Sequence, residues 1–446
     1  MIVRLYFFSL LAPLGFLTVL LGLSTRSFEP SQLSQVKLVP NWDSPWVKGF
    51  VAPDPVVEGL VQQYIQKLAG EGWYVPGQGV WIQTGQATIA QHQGNVPLSA
   101  ASLTKIATTL SALETWDPNH QFETLVGMTG TLENGVLNGD LVIKGGSDPL
   151  FVWEEAIVMG NALQQLGIRQ VTGNLVIAGD FVMNFNTNPF ESGQLLLQAW
   201  NADLWPPAAW DQYRSLPAGT AQPTIQVNGT VQVVPPEGVN QVSSWRLRHQ
   251  SLPLIAILKA MNIYSNNVMS EMMAEMTGGA GAVMAKATQA ANLVPGELRL
   301  VNGSGLGAEN QISPRAVTAM LATIQEKLRP QGFSVADVLP IAGEDVGTLA
   351  DRRLPLKSGL KTGTLAEVSA LAGFIPTQER GPVWFTIINW GWDLDGLRRH
   401  QDELLNQIQS HWGVADAPSM FQPKVRLSQG PYQLGDPRRN QPFGEQ

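Results

Sequence analysis

LSAASLTKIATTLSALE, residues 98–114, is alanine-rich, carries one lysine and one glutamate, and has the pattern of a helix. A helix that is apolar nearly all round is buried rather than laid on a surface. Within it Ser102 and Lys105 stand three apart, which stacks them on one face of a helix. Burial disfavours the charged form of a lysine, and an uncharged amine beside a serine hydroxyl can take its proton. Taken alone the pair is weak evidence, and a helix with one snorkelling lysine is the simpler reading. The S-x-x-K spacing recurs at Ser34 and Lys37, in a Ser/Gln/Pro-rich stretch where no chemistry is expected.

Further along, IYSNNVMSEM (263–272) sets Ser265, Asn266 and Asn267 into otherwise helical, methionine-rich sequence running from Leu258 to Met276. Adjacent Ser and Asn residues disfavour helix and need hydrogen-bond partners when buried. A turn lining a cleft meets both demands, as does an ordinary helix N-cap. Then Lys361-Thr362-Gly363-Thr364 stands directly before two strongly apolar strands, VSALAGFI (368–375) and VWFTIIN (383–389). On an inner strand this segment presents an ammonium and two hydroxyls suited to a carboxylate, with Gly363 allowing close approach of substrate. Lys357-Ser358-Gly359 is a decoy four residues upstream. Lys361 is favoured because its glycine is followed by Thr364 and an unbroken strand.

S-x-x-K, S-x-N and K-T-G in this order make the signature of penicillin-binding proteins and class A β-lactamases. The chain resembles the D-alanyl-D-alanine carboxypeptidases of the penicillin-binding protein 4 type, the DacB-like serine peptidases. The resemblance runs from about residue 50 to 412. It is richest at PLSAASLTKIAT (97–108), LNGDLVIKGGSDP (137–149), NGSGLG (302–307) with ISP (312–314), AGEDVGTL (342–349) and KTGTLAEVSALAGF (361–374). It implies an α+β fold of the penicillin-binding, β-lactamase-like kind, an antiparallel sheet with helices, interrupted by a β-rich insert between the first two motifs. It also implies Ser102 as acylated nucleophile, Lys105 as its base, and Ser265 as proton relay to the leaving amine. Asn267 would hold the substrate carbonyl and position Lys105. Lys361 would supply positive charge, Thr362 and Thr364 would bind the terminal carboxylate, and Gly363 lies between them. Backbone N–H groups of Ser102 and Thr364 would form the oxyanion hole. Leu365 and the insert would shape the pocket for the stem-peptide side chain. NGSGLG reads only as a tight turn. The implied partners are peptidoglycan stem peptides and β-lactams, with no cofactor.

Composition bounds the alternatives. The 446 residues include 28 basic and 36 acidic ones, a net charge of −8 with no basic block, which excludes nucleic acid as main partner. There is no cysteine, so thiol catalysis, disulfides and zinc–thiolate sites are excluded. The five histidines are scattered without an H-E-x-x-H, so no metal site is expected. A β-lactamase of class A would need E-x-x-L-N between the second and third motifs. Glu403-Leu404-Leu405-Asn406 is one residue short and lies beyond K-T-G. A related esterase or amidase, and a non-catalytic peptidoglycan-binding protein, are the other rivals.

Residues 1–26 have an export layout, Arg4 followed by an apolar run from Leu5 to Leu23. Its length suits a cleaved signal or a retained single membrane anchor, with the anchor slightly favoured, and either exports the rest to the periplasm or the outer face of the cytoplasmic membrane. Residues 27–50 read as a linker, 51–120 and 253–415 as two parts of a catalytic domain, and 121–252 as the β-rich insert. Residues 416–446, rich in Pro, Gln and Gly, read as a disordered tail. Inside the insert LNGDLVIKGG (137–146) echoes VTGNLVIAGD (171–180). Two copies fall short of the three that a stacked repeat needs.

Overall fold

The computed structural model describes residues 53–443, so the export segment, the linker and Ser34-Lys37 lie outside the described residues. Helix α1 (Pro55–Gly70) begins where the Asp54 carboxylate accepts the Val56 N–H at 3.0 Å and Pro55 takes the first turn. Its stripe of Val57, Val61, Ile65 and Leu68 is buried. Strands β1 (Gln78–Thr84) and β2 (Ala87–His92) follow, then α2 (Thr104–Thr115). After the insert come α3 (Leu254–Ile263), α4 (Asn267–Met276), α5 (Gly279–Ala290) and α6 (Pro314–Leu328). The chain closes its main body with β3 (Gly359–Leu365), β4 (Val368–Thr377), β5 (Gly381–Trp390) and α7 (Leu394–Trp412).

These strands make one antiparallel sheet in the order β3-β4-β5-β1-β2. It is buried on both faces, and alternation along β4 shows why its sequence is apolar throughout. Leu371 and Ile375 pack with Val61, Leu405 and Trp412 of α1 and α7. Ala370, Ala372 and Phe374 face Ile106, Ile257 and Val317 of α2, α3 and α6. Helix α2 lies in this second layer with every residue from Thr104 to Leu113 buried, Lys105 the one ionisable side chain among them, as its nearly uncharged sequence requires. The methionine-rich helix breaks into α3 and α4 at Tyr264–Asn266.

Residues 123–250 build a separate hydrophobic core around Ile143, Leu163, Ile177 and Trp200. Besides two sheets this segment contains the helices Trp153–Gln165, Pro189–Ala199 and Pro207–Ser215. The echo seen in the sequence has a third rung. Val227-Asn228-Gly229-Thr230-Val231 stacks on Val171–Leu175, which stacks on Leu137–Leu141, all in parallel register. At the shared corner the Gly173 N–H donates to Gly139 O and the Gly229 N–H to Gly173 O. A Cβ on Gly229 would lie 2.5 Å from the Gly173 oxygen, so the corner is kept as glycine. The third rung escapes a sequence search because its strand reads VQVV rather than LVI.

The expected disorder of residues 416–446 is corrected over the described part of that tail. Ala417, Phe421 and Val425 are buried against the α2–α6 layer. The N–H groups of Lys424 and Val425 donate to Asp337 Oδ1. The chain then returns to the insert, where Asn440–Pro442 pairs antiparallel with Ser244–Gln250 and Arg439 forms a buried ion pair with Glu155. A few well-placed apolar and charged side chains hold a segment whose average composition is that of a linker. Among the described residues no helix is long and apolar enough to cross a membrane.

Candidate active site

Ser102 precedes α2 rather than sitting in it. Ala101–Leu103 is a turn of 3₁₀ helix, and Ala101 has φ +47°, a left-handed conformation costly for a residue with a Cβ. One turn on, Lys105 is fully buried, and its Nζ lies 3.0 Å from Ser102 Oγ, 2.8 Å from Asn267 Oδ1 and 2.8 Å from the Ser304 carbonyl. Two of these partners can only accept. A neutral amine that donates to both is left with its lone pair for the Ser102 hydroxyl proton. Burial pulls the Lys105 pKa down to about 7, opposed by the negative charge of Glu271. Near neutral pH the uncharged form is therefore well populated.

Ser265 lies in the break between α3 and α4 with φ +50°, while Asn266 caps α4 by accepting the Met269 N–H. Both readings of that polar triplet hold at once, since it is a helix cap and it lines a cleft. Lys361 Nζ donates to Ser265 Oγ at 2.9 Å and to the Thr362 carbonyl at 2.7 Å. Lys361 is fully buried, and burial followed by the proximity of Lys105 holds its pKa well below the usual lysine value.

Two details of the K-T-G segment differ from the sequence expectation. β3 is the edge strand of the sheet, not an inner one. Gly363 is needed for the chain's own approach, since a Cβ there would sit 2.8 Å from Ala100 O and 3.2 Å from Ala101 Cβ. The segment carrying the nucleophile thus crosses directly over β3. On the strand's outer side the Leu360 N–H donates to Pro340 O, so by the period of two the N–H groups of Thr362 and Thr364 point to that same edge. Leu365 is half-buried against the α2–α6 core. The decoy Lys357 lies before the strand and pairs with Glu344 at 2.5 Å.

The turn NGSGLG has a clear physical task that its sequence did not disclose. The carboxylate of Glu271, on α4, accepts the N–H groups of Gly303 and Ser304, each at 2.9 Å. That fixes the Ser304 carbonyl on Lys105, while the Gly303 carbonyl accepts from Thr108 and Ser270. Glu271 stands four residues after Asn267, one helical turn along α4, and this spacing was the available signal. Arg398 of α7 was also missed, and its Nη2 donates to Thr364 Oγ1 at 3.3 Å.

Ser102, Ser265, Asn267, Thr362 and Thr364 line one cleft of about 980 Å³. Among the described residues no group of His, Asp and Glu is arranged to hold a metal ion. A serine beside a buried amine of lowered pKa, with a second serine–lysine pair across the cleft and an outward row of backbone N–H groups, is equipped for acyl transfer.

A family model for the D-Ala-D-Ala carboxypeptidase 3 (S13) family matches residues 75–182 and 210–409. Carboxypeptidase DacB of Mycolicibacterium smegmatis is 27% identical over 392 residues, covering 76% of this chain and 81% of that protein. A D-alanyl-D-alanine carboxypeptidase of an Actinomadura species is 32% identical over 203 residues, 42% of this chain and 36% of the relative. Among solved structures, a predatory endopeptidase of Bdellovibrio bacteriovorus, acylated by penicillin G and bound to an immunity protein, aligns with TM-score 0.69 at 18% identity, covering 82% of this chain and 99% of its own. Penicillin-binding protein 4 of Haemophilus influenzae aligns with TM-score 0.55 at 20% identity, over 77% and 99% of the two chains. The fold is that of the penicillin-binding, β-lactamase-like proteins, and the chain belongs to the D-Ala-D-Ala carboxypeptidase 3 (S13) family of serine peptidases.

Proposed function

We propose that this chain removes the terminal D-alanine from peptidoglycan stem peptides through an acyl-enzyme on Ser102. The observation that carries the reading is the buried amine of Lys105, 3.0 Å from Ser102 Oγ and tied by its other contacts to two acceptors. Ser102 Oγ bonds to the carbonyl carbon of the D-Ala–D-Ala bond as its proton passes to Lys105. The oxyanion is held by the N–H groups of Ser102 and Thr364. Asn267, whose Oδ1 is occupied by Lys105, offers its amide N–H₂ to the substrate carbonyl of the preceding residue. Ser265, bonded to Lys361, passes a proton to the departing nitrogen as the C–N bond breaks. Water then hydrolyses the ester and restores the serine.

The same steps cleave a cross-bridge when its amine is the leaving group, and a cleft of about 980 Å³ has room for the larger substrate. β-Lactams acylate Ser102 by ring opening. The expectation that Leu365 and the insert of residues 121–252 shape the pocket is not carried by the cleft's own wall, which beyond the motif residues comes from residues 347–353 and from α7 rather than from the insert. A peptidoglycan substrate places the enzyme outside the cytoplasm, with the apolar run of residues 5–23 as signal or anchor.

The test is release of D-alanine from an acyl-D-alanyl-D-alanine peptide, together with intact mass after penicillin G. Release and a single penicilloyl adduct are expected, both lost in Ser102→Ala. An adduct that persists in Ser102→Ala, or a protein inert to both reagents, would overturn the assignment.

A further inference from the structure

We propose that Arg398, rather than Lys361, is the cation that reads the substrate's terminal carboxylate, an inference that rests on the D,D-peptidase reading above. Lys361 is badly placed for that task. Its Nζ is buried and spent on Ser265 Oγ and the Thr362 carbonyl. By strand alternation its side chain leaves the face of β3 opposite to that of Thr362 and Thr364. The threonine hydroxyls can hydrogen-bond a carboxylate but carry no charge, and an anion leaving water needs a charged partner to offset its desolvation.

Arg398 meets the requirement. It stands in the second turn of α7, and one arm of its guanidinium donates to Thr364 Oγ1 at 3.3 Å. The other arm donates at 3.0 Å to Asp395, one turn back on the same helix. The Asp395 side chain is 80% exposed, so water screens its charge and the pair leaves the guanidinium electrostatically available. The Arg398 side chain, 34% exposed, forms part of the cleft wall together with Thr362 and Thr364. Its planar fork, always charged, matches a carboxylate in two-point geometry once the long contact to Thr364 yields to the ligand. The group so recognised is the carboxylate on the carbon that bears the scissile nitrogen.

The test compares acyl-D-alanyl-D-alanine with its C-terminal amide, which keeps the scissile bond and loses the charge. Arg398→Gln is expected to lower kcat/KM for the acid roughly 10- to 100-fold while changing the amide little. Arg398→Lys should recover part of the loss on the acid, because it restores charge without the fork. The acid-to-amide ratio cancels any difference in the amount of folded protein. Equal losses on both substrates, or an undiminished acid-to-amide ratio in Arg398→Gln, overturn the assignment. A wild-type protein that cleaves neither substrate overturns the D,D-peptidase reading itself, and this inference with it.

Discussion

The Lys105 side-chain nitrogen lies 2.8 Å from the carbonyl oxygen of Ser304, 199 residues away in sequence and in the middle of the NGSGLG turn. That contact makes the nucleophile's base and the turn a single device. With Ser304 O and Asn267 Oδ1 both unable to donate, the proton inventory of Lys105 determines whether it can activate Ser102.

The first consequence is a pH dependence. Lys105 must be uncharged to accept the Ser102 proton, and burial brings its pKa down from 10.5 to about 7. Acylation by penicillin should therefore rise with pH through about 7 and level off above it. Rapid-quench acylation rates across pH measure this directly. An acidic limb lying close to the ordinary lysine value would show that Lys105 stays charged and is not the base. The same shift has a sign for stability. The unfolded chain binds the proton more tightly, so this group's contribution to stability grows as pH rises from about 7 towards 10.5.

Glu271 affects both the geometry and the charge of that base. Glu271→Gln keeps one acceptor for the paired N–H groups of Gly303 and Ser304 and turns the other into a donor. Re-aiming of the Ser304 carbonyl should lower the acylation plateau roughly 5- to 100-fold. Because the carboxylate raises the Lys105 pKa, its removal should also move the acidic limb to lower pH. A residue acting only on fold stability would lower the plateau without moving the limb, and that result would reject the positioning role.

Gly305 tests the turn from the steric side. Its φ is +84°, and an added Cβ would lie 1.9 Å from the carbonyl oxygen of Ala101, next to the nucleophile. Gly219 has nearly the same backbone, φ +87°, with nothing within 4 Å of an added Cβ. Gly219→Ala should cost about 1 kcal/mol of stability through the backbone alone and leave acylation intact. Gly305→Ala carries the same backbone cost plus displacement of the Ala101–Ser102 segment, and should lose most of its acylation rate. Similar behaviour of the two variants, by denaturant unfolding and penicillin acylation, would mean that the close approach to Ala101 is unimportant.

How much of this was legible in the sequence differs by element. The sheet was clear because β4 and β5 are unbroken apolar runs, and α6 because Ser313 and Pro314 mark its start. Ser102, Lys105, Ser265 and Lys361 stood out because polar residues in apolar surroundings need a reason. Glu271 did not, since a single acid on a helix is usually a solvent-facing residue and only the fold reveals the two N–H groups it accepts. Arg398 was hidden for the same reason, its meaning depending on which strand α7 packs beside. The edge position of β3 was illegible because a strand covered on both faces reads alike whether or not a neighbour flanks it. The tail failed on composition, which averages away the few side chains that anchor it.

Those anchors carry the last expectation. Arg439 and Glu155 form an ion pair with side chains only 7% and 2% exposed, and the Gly435 N–H donates to the same carboxylate. Nearby His249 is held uncharged by burial, so it does not substitute as a cation unless it takes up a proton. Removing one partner of such a pair leaves an uncompensated buried charge, so Arg439→Gln should destabilise the protein by about 3–5 kcal/mol. Adding Glu155→Gln removes the orphaned charge and should restore a good part of that loss. Hydrogen exchange gives the local readout. Asn440–Pro442 borders Leu247–His249, and in Arg439→Gln this edge of the insert should lose protection before the catalytic sheet does. Unchanged unfolding of Arg439→Gln, or a double variant no better than the single, would show that the tail is held by its apolar contacts at Phe421 and Val425 and not by this ion pair.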